Sequence, residues 1–307
     1  MNNSSKKVVL LDGSLGQELV NRSNKPATRL WAAQAMFDDP ALVVDLHKDY
    51  IKAGARLLTL NAYSLTPERL DRVGLADQFE AMQHEAIKLV NEAKDSCAIE
   101  GVSIAGCLPP LVGSYRPEDS PDFDTSVATY SRIVEIQAEH VDVILCETVS
   151  SIADARSVVT AAMASGKPVW VALSVADDGT GTLRGGESVS DAVKLCHDLG
   201  VEVTLLNCSK PESFNDAWPE ITSVAKVTGA YANGFTSIAE LLPGKTTEVL
   251  SAREDLGPEQ YADYAMQWVE GGAAVIGGCC EVGPEHIRVL ARRLEEAGYV
   301  ITGTLDS

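Results

Sequence analysis

No stretch of the 307-residue chain approaches the roughly 18 unbroken apolar residues that a bilayer-spanning helix requires, so no membrane span is expected. A secretion leader is missing too: Met1 to Lys7 is polar and runs straight into an apolar strand, with no h-region or small-residue cleavage site. A cytoplasmic location is the expectation. Basic residues are scarce, 25 Lys plus Arg against 44 Asp plus Glu, and the net charge of −19 opposes attraction to phosphate backbones or anionic lipid. Nucleic acid and membranes are therefore not expected as partners, and the tryptophans (Trp31, Trp170, Trp218, Trp268) are dispersed without a basic stripe. The chain also lacks a low-complexity linker, a block of five or more like charges, and the G-x-S-x-G elbow of serine hydrolases. The glycine-rich loop from Gly179 to Gly186 has neither G-x-G-x-x-G spacing nor the Walker lysine, which excludes a nucleotide-phosphate cradle there. No lysine ends an apolar run, and a Schiff base on Lys210 would leave the nearby cysteines unexplained.

What is present is alternation. Short apolar runs bounded by turn residues take turns with longer segments of helical period, the pattern of βα units around a parallel sheet. The strand candidates are Val8–Asp12, Arg56–Asn61, Val102–Cys107, Asp142–Glu147, Val169–Ser174, Glu202–Asn207, Gly229–Asn233 and Ala274–Gly278. Helices are expected at Pro40–Ala53, Ala76–Ala93, Ser126–Glu139, Ile152–Ser165, Val189–Leu199, Phe214–Val224, Pro258–Glu270 and Pro284–Glu295. Pro40, Pro258 and Pro284 suit first helical positions, and Gly54, Gly166, Gly200 and Gly271 suit helix ends. Eight such units and 45% hydrophobic residues fit a single α/β domain over 1–307, a (β/α)8 TIM barrel ending near Ala297 in a short polar tail. Gly13–Asp39 and Ala176–Ser188 are long loops after strands and are expected to act as lids.

A barrel gathers its strand ends on one face, so Asp12, Asn61 with Tyr63, Cys107, Glu147 with Thr148, Ser174, Asn207 with Cys208, Asn233, and Cys279 with Cys280 should converge. The seven cysteines are an odd number in a large chain, which disfavours a disulfide framework. Cys97, Cys146 and Cys196 read as buried small hydrophobes, and Cys107 as buried although it ends a strand. Cys208, Cys279 and Cys280 differ: three thiolates with an open fourth position make a catalytic zinc site, and thiolates favour Zn2+ among divalent ions. Consecutive strand residues point to opposite faces, so Gly277 and Gly278 are expected to kink the backbone and turn both sulfurs inward. His286, close to this strand, reads as structural or as a support for the metal ligands.

Leu205-Leu206-Asn207-Cys208 and Gly277-Gly278-Cys279-Cys280, followed by Gly283-Pro284-Glu285-His286-Ile287, resemble the zinc motifs of the homocysteine S-methyltransferases. The similarity continues through Leu11-Asp12-Gly13-Ser14, Asn61-Ala62-Tyr63, Cys146-Glu147-Thr148 and Tyr231-Ala232-Asn233-Gly234, and so spans almost the whole chain. The resemblance implies zinc-dependent methyl transfer to the sulfur of homocysteine, giving methionine. It implies that Glu147, assisted by Thr148, receives the substrate amino group. It makes Asp12, Gly13, Ser14, Asn61, Tyr63 and Asn233 further substrate-binding positions. The chain departs from the family at Gly16-Gln17, Ala62 and Gly106-Cys107-Leu108-Pro109-Pro110, all on the rim.

S-methylmethionine or S-adenosylmethionine is the expected methyl donor, with betaine, another methylated onium compound or a corrinoid partner as alternatives. The acceptor could equally be selenocysteine or another thiol. Two readings from other classes remain beside these: a non-catalytic zinc or thiol protein with a closed coordination sphere, and a redox switch using a Cys279–Cys280 vicinal disulfide. Small-molecule substrates are the expected partners, and assembly into a homo-oligomer is left open.

Overall fold

The computed structural model describes residues 6–241 and 245–305. One parallel sheet runs through it, from β1 (Lys6–Leu10), β2 (Leu57–Thr59), β3 (Ser103–Leu108) and β4 (Val143–Val149) to β5 (Val169–Leu173), β6 (Val203–Asn207), β7 (Val227–Tyr231) and β8 (Val275–Ile276). Neighbours in sequence are neighbours in the sheet from β2 to β8, and β8 returns to β1. The ring closes between β1 and β2 through a parallel bridge of Leu11 with Leu57, where Arg56 N donates to Leu10 O (2.8 Å) and Asp12 N to Leu57 O (3.0 Å). This is the expected barrel.

Two layers of core follow from the period-2 alternation of the strands. Val9, Leu57, Ala105, Leu145, Ala172 and Leu205 belong to the cluster that fills the barrel interior. Val8, Leu10, Leu58, Ile104, Ile144 and Val171, one residue out of phase, pack outward under the helices. Those helices begin as their residues dictate. The expected prolines occupy the first turns of α3 (Pro40–Ala53), α10 (Pro258–Glu270) and α11 (Pro284–Glu296), and Ser188 caps α8 (Val189–Asp198) by accepting from Asp191 N at 3.3 Å. Others are α5 (Phe79–Cys97), α6 (Phe123–Gln137), α7 (Ile152–Met163) and α9 (Pro211–Val224).

Several features differ from the sequence reading. The segment 13–39 is not an open loop: it contains α1 (Leu15–Ser23) and α2 (Ala33–Asp38), and a short α4 (Pro67–Asp71) follows β2. The tail after Ala297 is not a polar end either. Tyr299–Thr302 forms a ninth strand, β9, parallel to β1 with Lys6 opposite Tyr299 and Val9 opposite Thr302. Its apolar alternation is too short to separate from a frayed end by periodicity alone. Beyond it Gly303 is pressed against the carbonyls of Arg56 and Gly101, where a Cβ would lie 2.3 Å and 2.5 Å from their oxygens. Leu305 then packs against the interior cluster, so the chain's end straps the N-terminal mouth of the barrel.

Truncation after Gly298 is expected to cost about 2 kcal/mol of stability, the scale of exposing one large half-buried apolar group together with its neighbours. A urea titration checks this. An unchanged midpoint would show that the strap takes no part in closing the barrel.

Candidate active site and metal centre

Two loops carry the cysteines at the C-terminal face, and each is shaped by a specific local device. After β6, Cys208 adopts a left-handed backbone (φ 51°), with its N–H donating to Tyr231 O (3.1 Å) and its carbonyl accepting from Arg184 Nη2 (3.2 Å). After β8 the chain passes so close to the turn following β1 that side chains are excluded. A Cβ on Gly277 would lie 2.5 Å from the Leu11 Cβ, and one on Gly278 would lie 2.2 Å from Val282 Cγ1. The glycines are thus required by close approach, and the left-handed residue in this loop is Glu281 (φ 64°) rather than either glycine. Gly278 N donates to Asp12 O (3.0 Å), Cys279 N to Ala232 O (3.0 Å) and Gly234 N to Cys280 O (2.8 Å), which fixes the consecutive cysteines between β1 and β7. His286 supports the same loop: its Nδ1 accepts from Gly283 N (3.2 Å) and its Nε2 lies 3.3 Å from Leu256 O, which sets the neutral Nε2–H tautomer.

The sulfurs of Cys208, Cys279 and Cys280 lie within 4.8 Å of one another. Cys208 and Cys279 are joined as a disulfide, and Cys280 is a free buried thiol whose pKa burial pushes up to about 12. The pairing is across two barrel loops and not between the vicinal cysteines. Cys196 is buried in α8 and Cys146 is buried facing the helices, as expected, whereas Cys97 at the end of α5 is only half-buried.

Beside the sulfurs opens a cavity of about 170 Å³. Asp12, Gly13, Ser14, Asn61, Tyr63 and Glu147 all line it together with the three cysteines. The Asp12 carboxylate accepts from Thr59 N (2.9 Å) and Thr59 Oγ1 (3.0 Å), yet burial raises its pKa to about 8. Glu147 is raised to about 7, again by burial, and is drawn partway back by the Cys107 thiol and the Tyr231 hydroxyl. Two carboxyl groups therefore face one cavity, and among the described residues neither forms an ion pair although Arg29, Arg69 and Lys245 also line it, an arrangement that favours a positively charged guest beside them. Asn61 is held by its Nδ2, which donates to Ala32 O (3.3 Å), and Tyr63 shares a hydrogen bond with Ser114 Oγ (2.9 Å).

Two of the sequence-selected residues stand behind the wall. Thr148, at φ 57°, exchanges hydrogen bonds with Asn207, its N–H to Oδ1 (3.2 Å) and its Oγ1 from Nδ2 (3.3 Å), and so ties the ends of β4 and β6. Asn233 accepts from Phe235 N (3.1 Å) and shapes the turn that puts Phe235 into the cavity. Ser14 N is bound to Val282 O (3.0 Å) and is thereby occupied within the wall. Of the two expected lids, 13–39 lines the cavity through Leu15, Gly16, Thr28, Arg29, Trp31 and Ala32, whereas 176–188 contributes no wall. A larger space of about 540 Å³ lies on the other side of Trp31 and Thr28, lined by residues such as Leu19, Pro26 and Leu42, and none of the candidate residues reaches it.

Sequence reasoning missed Thr59, Tyr231, Trp31 and Tyr115 as walls. Thr59 was within reach, since it precedes Asn61 by two residues and the strand period is two. Trp31 and Tyr115 sit on irregular loops with left-handed backbones (φ 46° and 66°), for which sequence gives no periodic signal.

The homocysteine S-methyltransferase family matches residues 9–294. Homocysteine S-methyltransferase 4 of Zea mays is 26% identical over 94% of this chain and 90% of its own length. Homocysteine S-methyltransferase of Escherichia coli is 26% identical over 93% of this chain and 95% of its own. The metallated form of the Escherichia coli homocysteine methyltransferase MmuM superposes with a TM-score of 0.79 at 25% identity, covering 94% of this chain and 96% of that one. The oxidised form of the same enzyme gives 0.78 at 25% identity, covering 93% and 96%. With its barrel, its cysteine cluster and a family match over nearly its whole length, the chain belongs to the homocysteine S-methyltransferases.

Proposed function

We propose that this methyltransferase carries a methyl group from a small onium donor to the thiol of homocysteine, with Cys208, Cys279 and Cys280 holding a zinc ion. The observation that carries the reading is the placement of three sulfurs within 4.8 Å of one another at the end of a cavity that also holds Asp12 and Glu147.

The donor set fits the ion. Three thiolates on one tetrahedral zinc at about 2.3 Å would stand roughly 3.8 Å apart, within the spread of the cluster. The Cys280 thiol, which burial holds at about 12, needs a neighbouring positive charge to ionise near neutrality, and a divalent cation is such a charge. When bound, zinc would supply Lewis acidity that turns a substrate thiol into a thiolate at neutral pH. The Cys208–Cys279 disulfide is the oxidised state of this donor set. Two equivalents of a small thiol reduce it, releasing two cysteine thiols and one oxidised disulfide of the reductant.

The chain's own residues bind and orient. Glu147, as the carboxylate, accepts the ammonium group of the amino acid, and Asp12, fixed by Thr59, presents a second carboxyl group on the same side. Trp31, Tyr63, Tyr115, Tyr231 and Phe235 give the cavity several ring faces, which suit a methylated sulfonium or ammonium centre through cation–π attraction. Attack by a thiolate on such a centre neutralises charge, and a partly dehydrated pocket favours that change. S-methylmethionine or S-adenosylmethionine is our first choice of donor and betaine the second. Residues 1–307 act as one catalytic domain in the reducing cytoplasm, where the cysteines stay available for metal.

Reduced protein is expected to bind one zinc per chain and oxidised protein none until a thiol is added. Cys208→Ala should lose both the metal and methionine formation, as read by metal analysis and a separate assay with each donor. Zinc retained by Cys208→Ala, or turnover in its absence, would refute the metal role. Glu147→Gln should raise KM for homocysteine about 10- to 100-fold, the equivalent of one charge-assisted hydrogen bond of about 1.5–3 kcal/mol. In the free enzyme Glu147 gains a proton as pH falls through about 7, so kcat/KM for homocysteine should decline below that pH, and Glu147→Gln should remove this limb.

A further inference from the structure

The turn 176–188 after β5 lines no part of the cavity, yet its arginine reaches the metal-side loop. Arg184 is 9% exposed and forms an ion pair with Asp177 (Nη2 to Oδ2, 3.0 Å), itself 14% exposed. Its Nε donates to Ser174 Oγ (2.8 Å), and Nη2 also reaches Ser209 Oγ (3.3 Å) and the Cys208 carbonyl (3.2 Å). The guanidinium plane lies 4.6 Å from the ring centre of Tyr115, which faces the cavity. On its other side Asp177 accepts from Lys210 N and Ser213 Oγ, both at 2.9 Å, at the start of α9. A single ion pair thus holds the chain from the Cys208 carbonyl through Ser209 and Lys210 to Ser213.

The grip matters because Cys208 is one of few non-glycine residues with a left-handed backbone, a conformation that persists only where the surroundings enforce it. Its N–H is fixed by Tyr231 O, and its carbonyl is fixed by Arg184. Lysine, a point charge without a planar fork, could not serve Ser174, Asp177 and the Cys208 carbonyl while stacking on Tyr115.

We propose that Arg184 is a positioning residue: it holds Cys208 in the conformation that aims its sulfur at Cys279 and Cys280, and it seats Tyr115 as a wall for the methyl donor. This rests on the zinc and methyl-transfer reading above.

The test uses reduced full-length protein, with zinc affinity measured by competition with a chromophoric chelator and kcat and KM measured for each substrate. Arg184→Gln is expected to weaken zinc binding about 10- to 100-fold, the usual range for residues that orient a ligand, and to raise KM for the donor more than KM for homocysteine. Tyr115→Leu should raise only the donor KM and leave zinc affinity unchanged. Because Arg184→Gln strands the Asp177 charge, the double variant Arg184→Gln/Asp177→Asn and the charge-preserving Arg184→Lys are measured beside it. Both should melt near the wild type and still show weaker zinc binding. Wild-type zinc affinity and wild-type kinetics in these folded variants would overturn the proposal, leaving Arg184 as a staple of its own turn. Absence of zinc from the wild type itself would overturn the metal reading and this proposal with it, and the wild-type measurement distinguishes that outcome from a failure confined to the variants.

Discussion

The site depends on how closely two backbones can approach. The loop after β8 runs against the end of β1, and because Gly277 carries no side chain beside Leu11, and Gly278 none beside Val282 of its own loop, it reaches the position where Gly278 N bonds Asp12 O. That contact places the consecutive cysteines and, at the same time, fixes the residue that begins the substrate wall. The barrel supplies the rest: Cys208 comes from β6 and is carried into the cluster by a left-handed backbone that Tyr231 and Arg184 hold from either side. The chemistry of the family thus rests on a packing constraint at one seam and a strained residue at another.

Charge is arranged with similar economy. Asp12 and Glu147 face the same cavity, and burial raises both toward neutrality, so neither is at rest as an isolated ion. An arriving ammonium group and a bound divalent cation would each favour the charged carboxylate and thiolate forms. On the proposed reading, substrate and metal would offset the cost of burying these carboxylates in their charged form. Asp12 differs from Glu147 in having two donors from Thr59, which keep it in place whatever its protonation state.

Much of this was legible from sequence because the barrel turns linear spacing into convergence. Once eight βα units are recognised, Cys208, Cys279, Cys280, Asp12, Asn61 and Glu147 must gather on one face, and they do. What was not legible lies where backbone conformation overrides period. Thr148 was chosen for its place next to Glu147, but its left-handed backbone turns it behind the wall to bond Asn207. Gly277 and Gly278 were expected to bend the chain, and close contact adds a second reason for them: a Cβ on Gly277 would meet Leu11, and one on Gly278 would meet Val282 of its own loop. Trp31, Tyr115 and Arg184 lie on loops whose course is set by contacts distant in sequence, and β9 is a strand only because β1 offers it an edge.

That last element has a practical bearing. Lys6 starts beside Tyr299, and the chain after β9 passes under Arg56 and Gly101, so both ends of the described chain emerge on the face opposite the cysteines. Lys6 and Leu305 thus stand a barrel's depth from the cysteine cluster, so probes placed at these two residues would report on closure of the barrel floor without touching the cavity.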